Sequence, residues 1–358
     1  MLYWDLFLPN NYISCCKIKI FSKYKTSCKR IMSIYRSTAQ AERSVFALTT
    51  SGIRKKSLAR RIWQARYVYL FMLPGLLVLT IFRYGSIAGI QLAFRTYKAK
   101  LGIWGSPWCG LNNFARLFRT PLALSAIGTT LEISLCRLII CYPAPILLAL
   151  MMNELRLRRT SRLYQTIYTF PHFLSWVIVA GILKNLLKTN GAVNALLVSM
   201  GLEMINFLGS TAFFRFILYA SDIWKGAGYA CILYLAGIAA IDPGLYEAAM
   251  LDGAGRFQKM WHVTLPGIRG VILITFILNI SGFMNAGFDQ IFNLRNAVVA
   301  SSAQIIDTYV YDITFAATPN YGFSTAVGLF KSVVNCALLL IANFSIKRLT
   351  GQSIYGGE

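Results

Sequence analysis

Long apolar runs alternate with short polar ones along this chain. Runs at residues 67–92, 124–152, 163–187, 214–241, 269–293 and 322–346 each approach or exceed the roughly 20 residues a helix needs to cross a hydrocarbon layer. The pattern predicts an all-α integral membrane protein with six transmembrane helices. Pro74-Gly75, Pro143 with Pro145, and Pro171-His172 fall inside these runs, where kinks are expected to face protein neighbours that satisfy the freed backbone groups. Ahead of the first run, residues 1–62 form a basic extension without a fold signal. It is expected to be a disordered cytosolic tail or an upstream extension of the reading frame, with Met32 as the alternative start. Its apolar stretch at 2–9 is too short for a leader core and has no positive region before it. Residues 63–350 form the membrane domain, and 351–358 a short tail.

One polar interruption differs from the rest. Residues 242–268 hold Asp242, which can cap a helix whose first turn contains Pro243, and Glu247-Ala248-Ala249 continue that helix with good formers. Gly253 then supplies the positive φ that ends it, and a second short helix over 256–262 runs up to Leu265-Pro266. The expected unit is a helix-turn-helix between spans. Its apolar residues Leu245, Ala248, Ala249, Phe257, Met260 and Trp261 are expected to form one knob.

Glu247-Ala248-Ala249, Gly253 four residues past Ala249, then Val263 and Leu265-Pro266 resemble the EAA loop of binding-protein-dependent ABC import permeases. Met260 and Val263 depart from the usual phenylalanine and isoleucine but keep both positions apolar and near the same size. The resemblance implies a type I ABC importer permease fold in which this cytoplasmic loop docks on a separate ATPase. Glu247, Ala248, Ala249, Gly253, Leu265 and Pro266 are then its coupling residues. Further strings over about residues 60–350, PHFLSW at 171–176, INFLG at 205–209, SDIWK at 221–225, NAGFDQ at 285–290 and IIDTYVY at 305–311, resemble the oligosaccharide (LplB-type) branch of the ABC sugar permeases. That branch implies a second, homologous permease subunit, an ABC ATPase dimer, an extracellular solute-binding lipoprotein, and an oligosaccharide substrate moved by alternating access.

Composition agrees with a bilayer protein. Hydrophobic residues make up 56%, charged residues 14%, and mean hydropathy is +0.54, against about half and about a quarter in soluble domains. The +23 formal charge on a chain with several apolar spans is read as topology determinants and lipid contacts, which sets nucleic acid aside. Basic residues before the first span (Lys55, Lys56, Arg60, Arg61, Arg66), between the second and third (Arg156, Arg158, Arg159, Arg162) and after the last (Lys347, Arg348) all fall on one side. They place both termini and the Glu247 loop in the cytoplasm of a bacterial plasma-membrane protein. Arg95, Lys98, Lys100, Arg116 and Arg119 of the first outer loop conflict with this and are outvoted.

No phosphate cradle, nucleophile constellation or metal spacing is present in the sequence, so no catalytic, metal or cofactor site is expected and the energy must come from another chain. Ionisable residues inside spans are the functional candidates. Asp222 and Lys225 stand three apart and could neutralise each other, and Glu132 and Arg137 share the second span. Trp224, Lys225, Tyr229, Asn279, Asn285, Asp289 and Gln290 are the candidate solute path, offering amides and aromatic faces to a hydroxyl-rich surface. The alternatives are an ion-coupled secondary transporter, which lacks its expected repeats here, and a permease for a non-sugar solute.

Overall fold

The structure, a computed structural model, describes residues 63–155 and 158–350. The expectations for the 1–62 extension, the 351–358 tail and Arg156 lie outside the described residues. The chain divides into two compact units at Ile81 and Phe82. The described part of the first is mostly helix α1 (Arg66–Leu79), which has no buried residue. Such exposure of an apolar helix suits lipid contact.

The second unit opens at the end of a π-helical turn, Thr80–Tyr84, which leads into a tight 3-10 stretch, Gly85–Phe94. After a short amphipathic helix α2 (Asn112–Arg119), helices α3 (Pro121–Ile140) and α4 (Pro143–Asn153) follow, joined at Cys141-Tyr142 where Pro143 starts a new helix. Next come α5 (Arg158–Thr169), α6 (Trp176–Leu187), α7 (Ala192–Ser199), the long α8 (Thr211–Ala239) and the helices of the 242–268 loop, α9 (Pro243–Leu251) and α10 (Arg256–Lys259). The chain ends with α11 (Arg269–Ser281), α12 (Phe288–Leu294), α13 (Ile306–Thr314) and α14 (Tyr321–Thr350). The described residues contain no named strand, only an isolated bridge between Arg95 and Trp108.

Three of the six expected spans are long, apolar helical runs: Arg66–Phe94, Pro121–Asn153 and Tyr321–Arg348. The other three belong to helix pairs with sharp breaks, two of them at the junctions with the 242–268 loop. Thr160–Phe173 and Trp176–Ser199 meet at 97°, Thr211–Ala239 and Pro243–Leu251 at 72°, and Arg256–Gly267 and Arg269–Ser281 at 61°. The first of these bends follows from Pro171 and from Ser175, whose hydroxyl accepts from Ile178 N at 3.3 Å and restarts the helix as its N-cap. The expected fifth span, 269–293, also needs correction: its helix stops at Ser281, and Gly282 to Gly287 separate it from α12.

Buried side chains form three patches. Phe214, Leu218, Ile291, Leu294 and Ile305 tie α8 to α12, and Leu117, Met284, Ile306 and Phe323 tie α2 and α13 to α14. Leu150, Tyr234, Ile238 and Ile268 tie α4 to α8 where the 242–268 loop begins.

Candidate functional site

Two sites emerge, one at the loop and one between the spans. In the loop, Asp242 Oδ1 accepts from Gly244 N at 2.9 Å and Pro243 occupies the first helical turn, so α9 starts where its sequence signals place it. It ends on Gly253 at φ 77°, with Ala254 N bonded to Ala249 O at 2.9 Å and Gly253 N to Met250 O at 3.1 Å. That bond pair is a Schellman motif, in which the glycine takes the left-handed conformation. Gln258 Oε1 accepts from Gly255 N at 2.7 Å and caps α10, while the Tyr246 and Thr264 hydroxyls meet at 3.0 Å and hold the two halves together.

The expected apolar knob does not form within the chain. Leu245 (54% exposed), Leu251 (90%), Phe257 (82%) and Trp261 (64%) stand in the open, and only Met260 packs partly against the inner patch. The helices are too short to fold their apolar faces onto each other, so the loop presents them outward. Glu247, Ala248 and Pro266 are exposed, Ala249 and Leu265 half-buried, and Glu247 makes no ion pair with a described residue.

Between the spans lies a cavity of about 510 Å³, walled by α3 and α4, by α8, and by α11 with the turn after it. Tyr229, Asn279 and Asn285 of the sequence candidates line it. The other four do not. Gln290 is fully buried, with Nε2 donating to Leu218 O and Ser221 Oγ at 2.8 Å each and Oε1 accepting from Arg137 Nη2, so it is an internal strut. Lys225 donates Nζ to His172 O at 2.8 Å and lies 5.3 Å from the Trp176 ring centroid. Trp224 and Asp289 are exposed outside the cavity.

Charge pairing also differs from the sequence expectation. Asp222 pairs with Arg137 at 3.7 Å instead of with Lys225, and Glu132 with Arg215 at 2.7 Å instead of with Arg137. Lys331 takes Asp307 at 2.6 Å. Each pair bridges different helices, because one helix face in a bundle is already covered by its neighbours. Arg137 and Asp222, singled out in the sequence as ionisable residues inside spans, also line the cavity, and Tyr142 and Thr275 are lining residues that the sequence reading missed. The Tyr142 hydroxyl donates to Ile272 O at 2.7 Å and lies 3.1 Å from Thr275 Oγ1, which also meets the Tyr234 hydroxyl at 2.9 Å. His172 stacks on Tyr229 with centroids 4.0 Å apart, fixing the aromatic face at the cavity wall. Amides, hydroxyls, aromatic rings and one ion pair suit a solute that binds through many weak polar contacts.

Residues 142–351 match the family described as binding-protein-dependent transport system inner membrane component. The chain belongs to that family. Among its relatives, the permease is 41% identical over 320 residues to the polygalacturonan/rhamnogalacturonan transport system permease protein YteP of Bacillus subtilis (strain 168), covering 89% of this chain and 99% of that one. It is also 41% identical over 293 residues to protein LplB of the same organism, covering 81% and 91%. Among solved structures, a chain of the bacterial alginate ABC transporter in complex with alginate pentasaccharide-bound periplasmic protein superimposes with a TM-score of 0.75 at 35% identity, covering 84% of the permease and 100% of that chain. The permease is therefore a membrane subunit of an ABC transporter.

Proposed function

We propose that this permease carries oligosaccharides inward through the cavity between α3, α4, α8 and α11, driven by an ATPase dimer that grips the loop at Glu247. The observation that carries the reading is the cavity itself. Its 510 Å³ lies within the ~300–1,000 Å³ usual for ligand sites and Tyr229, Asn279 and Asn285 converge on it. The relatives' names, polygalacturonan/rhamnogalacturonan and alginate, support a sugar over an ion or amino acid. The exposed Leu251, Phe257 and Trp261 support a partner at the loop, and α8 links that loop directly to the cavity wall. Glu247, Ala248, Ala249, Gly253, Leu265 and Pro266 form the coupling surface. A second homologous permease completes the pore, a solute-binding lipoprotein delivers sugar from outside, and both termini and the loop face the cytoplasm.

The test is uptake of labelled oligosaccharides by cells with and without the gene, beside monosaccharide and amino-acid controls. Loss of oligosaccharide uptake alone is expected. Intact oligosaccharide uptake with lost amino-acid uptake would overturn the substrate class.

A further inference from the structure

We propose that Arg137 is a carboxylate-binding residue of the cavity and Asp222 its tethered competitor, so that the permease selects oligosaccharides bearing uronate carboxylates. The inference rests on the cavity being the sugar path. Arg137 and Asp222 are the charged residues of its lining, with side chains 16% and 28% exposed. Their closest approach, Nη1 to Oδ1, is 3.7 Å, an ion pair beyond hydrogen-bond reach. A guanidinium carries five N–H donors in a planar fork. In the structure Nη2 donates to Gln290 Oε1, while Nε is buried without a partner.

The group is held in place even so. Gln290 is anchored on α8 through Leu218 O and Ser221 Oγ, and Gly287, at φ 77°, backs the guanidinium so closely that a Cβ there would overlap it. Nη1 makes no hydrogen bond with a described residue and lies 3.7 Å from Asp222 Oδ1, the other charged residue of the cavity lining. By contrast, Lys331 grips both oxygens of Asp307 at 2.6 and 2.8 Å, and Arg215 those of Glu132 at 2.7 and 3.0 Å. Those pairs are closed by hydrogen bonds.

The arrangement has a physical logic. A lone cation in a low-dielectric wall is costly, so an anion must stay near, and Asp222 supplies it without filling the fork. A solute carboxylate can then accept a charge-assisted hydrogen bond from Nη1. Asp222 repels the same carboxylate, which keeps the sugar from being held too tightly to leave. A neutral sugar meets a neutral pair and gains only hydroxyl contacts.

The experiment uses the assembled importer in proteoliposomes with its binding protein. Uptake of labelled trigalacturonate is compared with uptake of its methyl ester, which keeps the chain and removes the charge. Because the binding protein is common to every arm, its own preference cancels between variants. Arg137→Gln is expected to lower the acid-to-ester ratio about tenfold, and Arg137→Lys to lower it less. Asp222→Asn is expected to act in the opposite sense: more trigalacturonate stays bound when turnover is arrested with orthovanadate, and the ester does not follow. If both Arg137→Gln and Asp222→Asn lower the two sugars together and leave the ratio unchanged, the pair is structural and the inference falls. If the wild-type importer carries neither sugar but does carry amino acids, the oligosaccharide reading itself falls, and this one with it.

Discussion

The Lys331–Asp307 pair offers a direct test of whether an intramembrane charge serves the fold or the solute. Lys331 on α14 donates to both carboxylate oxygens of Asp307 on α13, and the two side chains are 15% and 24% exposed. Around them Ile306 and Tyr309 of α13 pack on Phe323 and Val327 of α14. Lys331→Met leaves the carboxylate without its cation, a change that costs ~3–5 kcal/mol in buried pairs. Water reaches about a quarter of Asp307, so the lower end, ~3 kcal/mol, is expected. For a chain of this size that corresponds to a melting point lower by ~4 °C. The double variant Lys331→Met with Asp307→Leu removes both charges and should return to within ~1 kcal/mol of wild type. The assay is thermal unfolding of the purified importer in detergent, with uptake measured in parallel. If the two single losses simply add in the double variant, the pairing argument is wrong. If the double variant is as stable as wild type yet transports nothing, the pair belongs to the solute path.

Other expectations follow from single positions. Gly253→Val meets no atom within 4 Å, so its penalty is the left-handed backbone alone, ~1–2 kcal/mol confined to the loop; membrane level should hold while uptake is lost, and Gly253→Asn should keep most of it. Gly228→Val drives a side chain into the backbone of Tyr168, and at ~3 kcal/mol or more it should cut the amount of permease seen in membranes by immunoblot. Tyr142→Phe removes the donor to Ile272 O at an average of ~0.6 kcal/mol for such bonds between membrane helices; a melting point lower by more than ~6 °C would mean that the hydroxyl does more than join α4 to α11.

The loop was legible because its signals are local. Asp242, Pro243 and Gly253 each act on the backbone within a few residues, and α9 begins and ends on them. The charge pairs were not legible, since Glu132 finds Arg215 and Arg137 finds Asp222 across more than 80 positions of sequence. A rule that pairs neighbours on one helix face assigned Asp222 to Lys225, whereas the bundle turned Lys225 toward the carbonyl of His172, which the proline-induced bend at 171 leaves open. The exposed loop surface was misread for a related reason. Phe257 and Trp261 look like core by residue type, and only the shortness of the helices reveals that no described residue buries them.

The fifth span shows how the departures from local rules cluster at the cavity. Asn279 and Asn285 are six residues apart, so on an unbroken helix, at about 100° per residue, they would point roughly 120° away from each other. Both nevertheless line the same cavity. The chain achieves this by stopping α11 at Ser281, making one 3-10 turn through Phe283–Asn285, and setting Ala286 at φ 45° and Gly287 at φ 77° before α12 begins. Ala286 bears the strain of a left-handed conformation, on the order of 1 kcal/mol or more, while being packed in the buried patch with Ile291 and Leu294. Gly287 could not carry a side chain without displacing Arg137. One irregular turn thus places an amide on the cavity wall and leaves room for the guanidinium behind it. A helix continuing through this region would satisfy the apolar pattern better and would provide neither.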